Sequence, residues 1–111
     1  MASPRKYKVY FEKGAQEELG HLDRSIRDQF REPVQRLKES PAQGSSRIRN
    51  AQAAYPIYRR RIGDYRMFFL IDSKKRQVVV LAIRKRDSDT YDIDNLRQIT
   101  GRYSGPHKTQ P

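Results

Sequence analysis

The apolar positions change period several times along the chain. From Tyr7 to Lys13, "YKVYFEK" alternates, with Tyr7, Val9 and Phe11 on one side and Lys8 and Tyr10 on the other. That period of two predicts a half-buried strand. In "GAQEELGHL", Ala15, Leu19 and Leu22 fall on one face of a short helix. "DRSIRDQFREPVQRLKES" predicts a longer one, because Leu22, Ile26, Phe30, Val34 and Leu37 make a single apolar stripe. Asp23 or Ser25 suits its N-cap. Pro33 falls inside the stripe and predicts a kink or a division into two pieces.

"SPAQGSSRIRNAQAAYP" has no period and reads as a loop. Three apolar segments follow, Ile57–Ile62, Tyr65–Ile71 and Val78–Arg84, separated by "GD" and "DSKKRQ". Both junctions predict hairpins. "VVVLAI" is apolar on both faces, the mark of an internal strand covered on both sides. "TYDIDNLRQI" predicts a short closing helix carrying Ile93, Leu96 and Ile99, and "GRYSGPHKTQP" is polar. The expected fold is α+β: a small, mostly antiparallel sheet in the order β-α-α-β-β-β, with a short C-terminal helix and two N-terminal helices packed on one face. Residues 1–100 are expected to form one domain and residues 101–111 a flexible tail.

Charge sharpens this picture. Among 111 residues, 24 Lys and Arg stand against 13 Asp and Glu, a net charge of +11. Such an excess points to a polyanionic partner. A membrane surface is disfavoured, since it calls for a basic amphipathic helix with large exposed apolar residues, and here the basic residues crowd onto strands. No apolar run nears the ~20 residues of a transmembrane helix, and "MASPRKYKVY" has no apolar signal region. With no cysteine, disulfides and thiolate metal sites are excluded, and a cytoplasmic location is expected.

The basic residues are concentrated in "YRRRIGDYR", Tyr58 to Arg66. A two-residue Gly63-Asp64 turn sets Ile62 opposite Tyr65, Arg61 opposite Arg66, Arg60 opposite Met67 and Arg59 opposite Phe68. Arg59, Arg61 and Arg66 then share one face of the sheet, and Arg60 falls on the other and must reach outward. Opposed arginines repel. Two readings compete: solvated side chains that guard a strand against aggregation, or a grip for an anion, which suits the planar guanidinium fork. "RKRDSDTY" adds weight to the second. In an antiparallel meander, Arg84, Lys85 and Arg86 return to the same end of the sheet, with Tyr91 close behind.

In "YRRRIGDYRMFFLID", "QVVVLAIRKRD" and the closing Tyr91, the chain resembles the RelE/ParE superfamily of toxin–antitoxin systems, over roughly Tyr7 to Leu96. The resemblance implies a small sheet with two N-terminal helices. The RelE branch cleaves messenger RNA on the ribosome, the ParE branch inhibits DNA gyrase without nuclease activity, and both are silenced by an acidic antitoxin. It further implies phosphate-binding roles for Arg59 and Arg61, with Arg84 and Lys85 beside them, and catalytic roles for Arg66, Arg86 and Tyr91. One departure is the acidic "DID" after Tyr91, where a basic residue is common.

RNA transesterification needs a base for the ribose 2′-OH, stabilisation of the phosphate and an acid for the 5′-oxygen. Histidine usually serves, but His21 lies in the first helical segment and His107 in the tail. Asp87, Asp89, Asp92 and Asp94 cluster in sequence, yet read better as helix N-terminal and solvating charges than as a metal site. No cofactor or metal is expected. Tyr91 is left, as a base assisted by cations or as a packing residue. The expected function is a ribosome-dependent, metal-free mRNA endonuclease whose partners are ribosome, mRNA and an acidic antitoxin. The alternatives are a gyrase inhibitor or an RNA-binding module without chemistry.

Overall fold

The computed structural model describes residues 6–48, 55–85 and 100–101. Arg86, Tyr91, the four clustered aspartates, the closing helix expected over residues 90–99 and the tail from residue 102 lie outside the described residues. The elements are β1 (Lys8–Phe11), α1 (Lys13–Gly20), α2 (Arg24–Asp28), α3 (Arg31–Glu39), β2 (Ser46–Arg47), β3 (Ile57–Ile62), β4 (Tyr65–Asp72) and β5 (Gln77–Lys85). The sheet order is β1-β5-β4-β3-β2. The expected α+β class holds: three antiparallel pairings build most of the sheet. The fourth is parallel, with β1 lying along β5 from Lys8↔Gln77 to Phe11↔Val80.

The three helices begin in different ways. Glu12 caps α1 by accepting from the Gly14 N–H at 3.1 Å. Asp23 occupies the N-cap of α2, as its position predicts, but makes no side-chain capping bond. The long helical stretch does divide in two, yet the break falls at Gln29–Phe30, ahead of Pro33. Phe30 is the N-cap of α3, and the first helical bond runs from Val34 N–H to Phe30 C=O at 3.0 Å. Pro33 therefore sits in the first turn, where its missing N–H would have no partner anyway.

Two apolar layers enclose the sheet. On the helical side, Ala15, Phe30 and Leu37 meet Ile62, Met67, Phe69, Ile71, Val78, Val80 and Ile83, with Tyr7, Val9 and Phe11 packed against them. The predicted stripe residues Leu22, Ile26 and Val34 close this layer. On the opposite side, Ile57, Phe68, Leu70, Val79, Leu81 and Ala82 form a second cluster with Ile48. The doubly apolar "VVVLAI" segment is thus buried on both faces, as its pattern requires.

Two features differ from the sequence reading. The stretch read as a loop contains β2, which pairs Ser46 with Arg59 and Arg47 with Tyr58. And the β4–β5 ladder carries a bulge, for Phe68 pairs with Ala82 but Phe69 pairs with Val80. The extra residue, Leu81, joins Ala82 in the same cluster and reverses the alternation beyond it.

Candidate anion-binding cleft

The hairpin forms in the expected register, Ile62↔Tyr65, Arg61↔Arg66, Arg60↔Met67 and Arg59↔Phe68. Gly63 has φ +57°, at the first central position of the two-residue turn. A side chain there would also press a Cβ to 2.5 Å from Gln29 Oε1. The turn's backbone and the joint between α2 and α3 are therefore matched to each other.

On the helical side the strands are anchored by aromatics. Tyr58 stacks on Phe69 with ring centroids 5.8 Å apart, and Tyr65 meets Phe30 edge-on at 6.3 Å. Arg60 shares this side and reaches outward, donating from Nη1 to the Gln43 carbonyl at 2.9 Å. The other side changes character along the strands. Its apolar part holds Ile57, Phe68 and Leu70, and its turn end presents Arg59, Arg61 and Arg66.

Those three arginines line one cleft of about 370 Å³ together with Gly44 and Ser46. Arg59 and Arg66 are half-buried and Arg61 is exposed. Among the described residues, neither Arg61 nor Arg66 is in an ion pair. Guanidinium groups facing one space beside a buried apolar cluster form a ready receptor for a phosphate-like anion, because partial shielding from water strengthens the attraction. Ser46 and Gly44, at φ +78°, were missed in the sequence reading. The available signal was the Ser-Arg-Ile alternation ending at buried Ile48, which is a strand pattern hidden in a polar stretch.

The two basic residues that end β5 part company with the cleft. Arg84 stands opposite Arg66 in the ladder, but its guanidinium pairs with Glu18 of α1. Lys85 pairs with Tyr65, whose ring packs on the helical side, so the register turns Lys85 away from the three arginines. His21 is exposed at the C-cap of α1. Among the described residues no group of three His, Cys, Asp or Glu could hold a metal ion, and no helix is long and apolar enough to cross a membrane.

A five-stranded sheet backed by N-terminal helices, with guanidinium groups gathered at one end of its other face, makes this a basic α+β domain built around a charged hairpin. Residues 9–90 match the family of the ParE toxin of type II toxin–antitoxin systems, parDE. The chain therefore belongs to the ParE toxin family, within the RelE/ParE superfamily that its motifs resemble, and by family it is the toxin of a toxin–antitoxin pair. A protein of Escherichia coli named for its likeness to RelE toxins is 28% identical over 93 residues, covering 83% of this chain and 97% of that protein. The archaeal RelE–RelB complex from Pyrococcus horikoshii OT3 contains a similar fold, with TM-score 0.65 and 22% identity over 74% of this chain and 97% of that one. The RelBE2 toxin–antitoxin complex of Mycobacterium tuberculosis gives TM-score 0.65 and 27% identity, over 73% and 99% respectively.

Proposed function

We propose that this toxin is a ribosome-dependent mRNA endonuclease that cleaves by transesterification without a metal ion. The observation that carries the reading is the convergence of Arg59, Arg61 and Arg66 on one cleft. In the reaction the ribose 2′-oxygen attacks the adjacent phosphorus and loses its proton to a base. The bond to the 5′-oxygen breaks, and that oxygen takes up a proton. Arg59 and Arg61 hold the phosphate, and Arg66, with Arg86, stabilises the charge that grows on its oxygens. Tyr91 is the base that takes the 2′-OH proton. Arg84 and Lys85 contribute to the basic surface that attracts the message. The site of action is cytoplasmic, where ribosomes are.

Two of the solved relatives are toxin–antitoxin complexes, which supports an antitoxin as the natural partner. A protein of net charge +11 with a concave guanidinium surface suits an acidic segment that folds on binding. The expected mode is that it covers Arg59, Arg61 and Arg66 or displaces the Tyr91 segment.

The matching family is that of ParE toxins, which favours a second reading, in which the same basic surface inhibits DNA gyrase without chemistry. Two assays separate them. Programmed ribosomes incubated with the protein, followed by mapping of message ends, should reveal cuts in the message. A gyrase supercoiling assay should show no inhibition. Intact message together with blocked supercoiling would replace the first reading by the second.

A further inference from the structure

Arg61, Arg66 and Arg84 form a row across three neighbouring strands, since Arg61 faces Arg66 and Arg66 faces Arg84. At the usual strand spacing the row spans about 10 Å. Its third member is held away from the cleft by Glu18, whose Oε2 accepts from Arg84 Nη1. Oε1 of the same carboxylate accepts from the Ile83 N–H at 2.8 Å, and Arg84 Nη1 also donates to the Ile83 carbonyl at 3.2 Å.

The backbone bond has a structural reason. β1 accompanies β5 only as far as Val80, so the edge of β5 is open at Ile83 and that N–H needs an acceptor. A neutral glutamine would satisfy it. The second oxygen and the charge do something else, which is to occupy Arg84. Both side chains of the pair are 35% exposed, so the pair sits within reach of solvent and is worth little net free energy. A phosphate offers the same pair of acceptor oxygens.

We infer that Arg84 is a second phosphate subsite, masked in the free protein by Glu18, and that the phosphate adjoining the one in the arginine cleft takes Arg84 over from Glu18. The subsite is specific for a strand with consecutive phosphates, because a lone phosphate fills the cleft without reaching the end of the row. This rests on the nucleic-acid reading above.

The test is binding of a 2′-O-methyl RNA hexamer, which has no free 2′-OH and cannot be cleaved, followed by fluorescence anisotropy over a salt series. Glu18→Gln keeps the acceptor for Ile83 and frees Arg84. It should tighten binding about three- to tenfold and steepen the slope of log K against log salt by about 0.7, the value of one more neutralised phosphate on a single strand. Glu18→Gln combined with Arg84→Gln should lose the gain. Glu17→Gln, an equal change in charge at the exposed neighbouring position, should give much less. No gain in Glu18→Gln, an equal gain in Glu17→Gln, or a gain that survives in the double variant each overturns the inference. In the wild-type protein, the Ile83 amide and Arg84 side-chain NMR signals should shift with the hexamer and stay in place with a mononucleotide. Signals unmoved at saturating hexamer would also overturn it. Arg61→Gln and Arg66→Gln report separately on the underlying reading. If neither weakens binding, the nucleic-acid reading falls and takes the subsite with it. If both weaken it and Glu18→Gln does not tighten it, the subsite alone falls.

Discussion

Arg61→Gln should make the protein more stable and a worse anion binder, and both signs follow from one geometry. Arg61 faces Arg66 directly and lies two residues from Arg59 on the same side of β3. Being exposed, it loses little packing when shortened. Two unit charges ~5–7 Å apart in water repel by roughly 0.6–0.8 kcal/mol. Ionic screening at physiological salt, with a Debye length of about 8 Å, cuts that by roughly half. Two such neighbours give a relief of about 0.7 kcal/mol, within the range measured for like charges across a strand pair. For a domain of this size that is roughly 2–4 °C in melting temperature. In 1 M salt the Debye length falls to about 3 Å and the gain should vanish.

Binding should move the other way. Removing one charge-assisted hydrogen bond to phosphate in a partly solvated cleft costs about five- to tenfold in affinity for single-stranded RNA, and the salt slope should flatten by about 0.7. The assays are thermal unfolding at low and high salt and anisotropy with an uncleavable oligonucleotide. If the variant were less stable at low salt by an amount unchanged in 1 M salt, Arg61 would be a packing residue and the repulsion argument would fail. Unchanged RNA affinity would remove the cleft as an anion site.

Three further outcomes are expected. Gly63→Ala should destabilise by about 1–2 kcal/mol in urea unfolding, because φ is +57°, and adding Gln29→Ala should relieve the 2.5 Å contact but not the backbone strain. Phe69→Ala should cost about 3–5 kcal/mol, since Phe69 is fully buried and stacked on Tyr58; a smaller loss would mean that the helical layer closes over the cavity. Tyr91→Phe and Arg66→Ala should each lower message cleavage on ribosomes, by about 10²–10⁴-fold for the proton-transfer role, with thermal stability kept, whereas His21→Ala should change little; full activity in Tyr91→Phe would put the base elsewhere.

What could be read from the sequence was what short-range physics decides. Gly63-Asp64 sets the hairpin register residue by residue, and the register alone puts Arg59, Arg61 and Arg66 on one face. The stripe from Leu22 to Leu37 finds the helical layer, although the chain breaks where Phe30 begins a new helix rather than at Pro33. The missing parts depend on partners distant in sequence. β1 lies parallel to β5 across some seventy residues, and no local pattern names a parallel partner. β2 is only two residues long and exists because Arg59 and Tyr58 offer it a ladder. The bulge at Leu81 matters most for the site. Tyr65 and Arg66 do lie beside the end of β5, as a plain meander predicts, but the extra residue decides which basic side chain shares the face of Arg66. It turns Arg84 toward the arginine row and Lys85 away, in a segment whose uniformly apolar "VVVLAI" gives no alternation from which a shift could be seen. Glu18 then claims Arg84 from a helix sixty-six positions earlier. Closeness in sequence made Arg84 and Lys85 equivalent candidates; one bulge and one carboxylate make them chemically different.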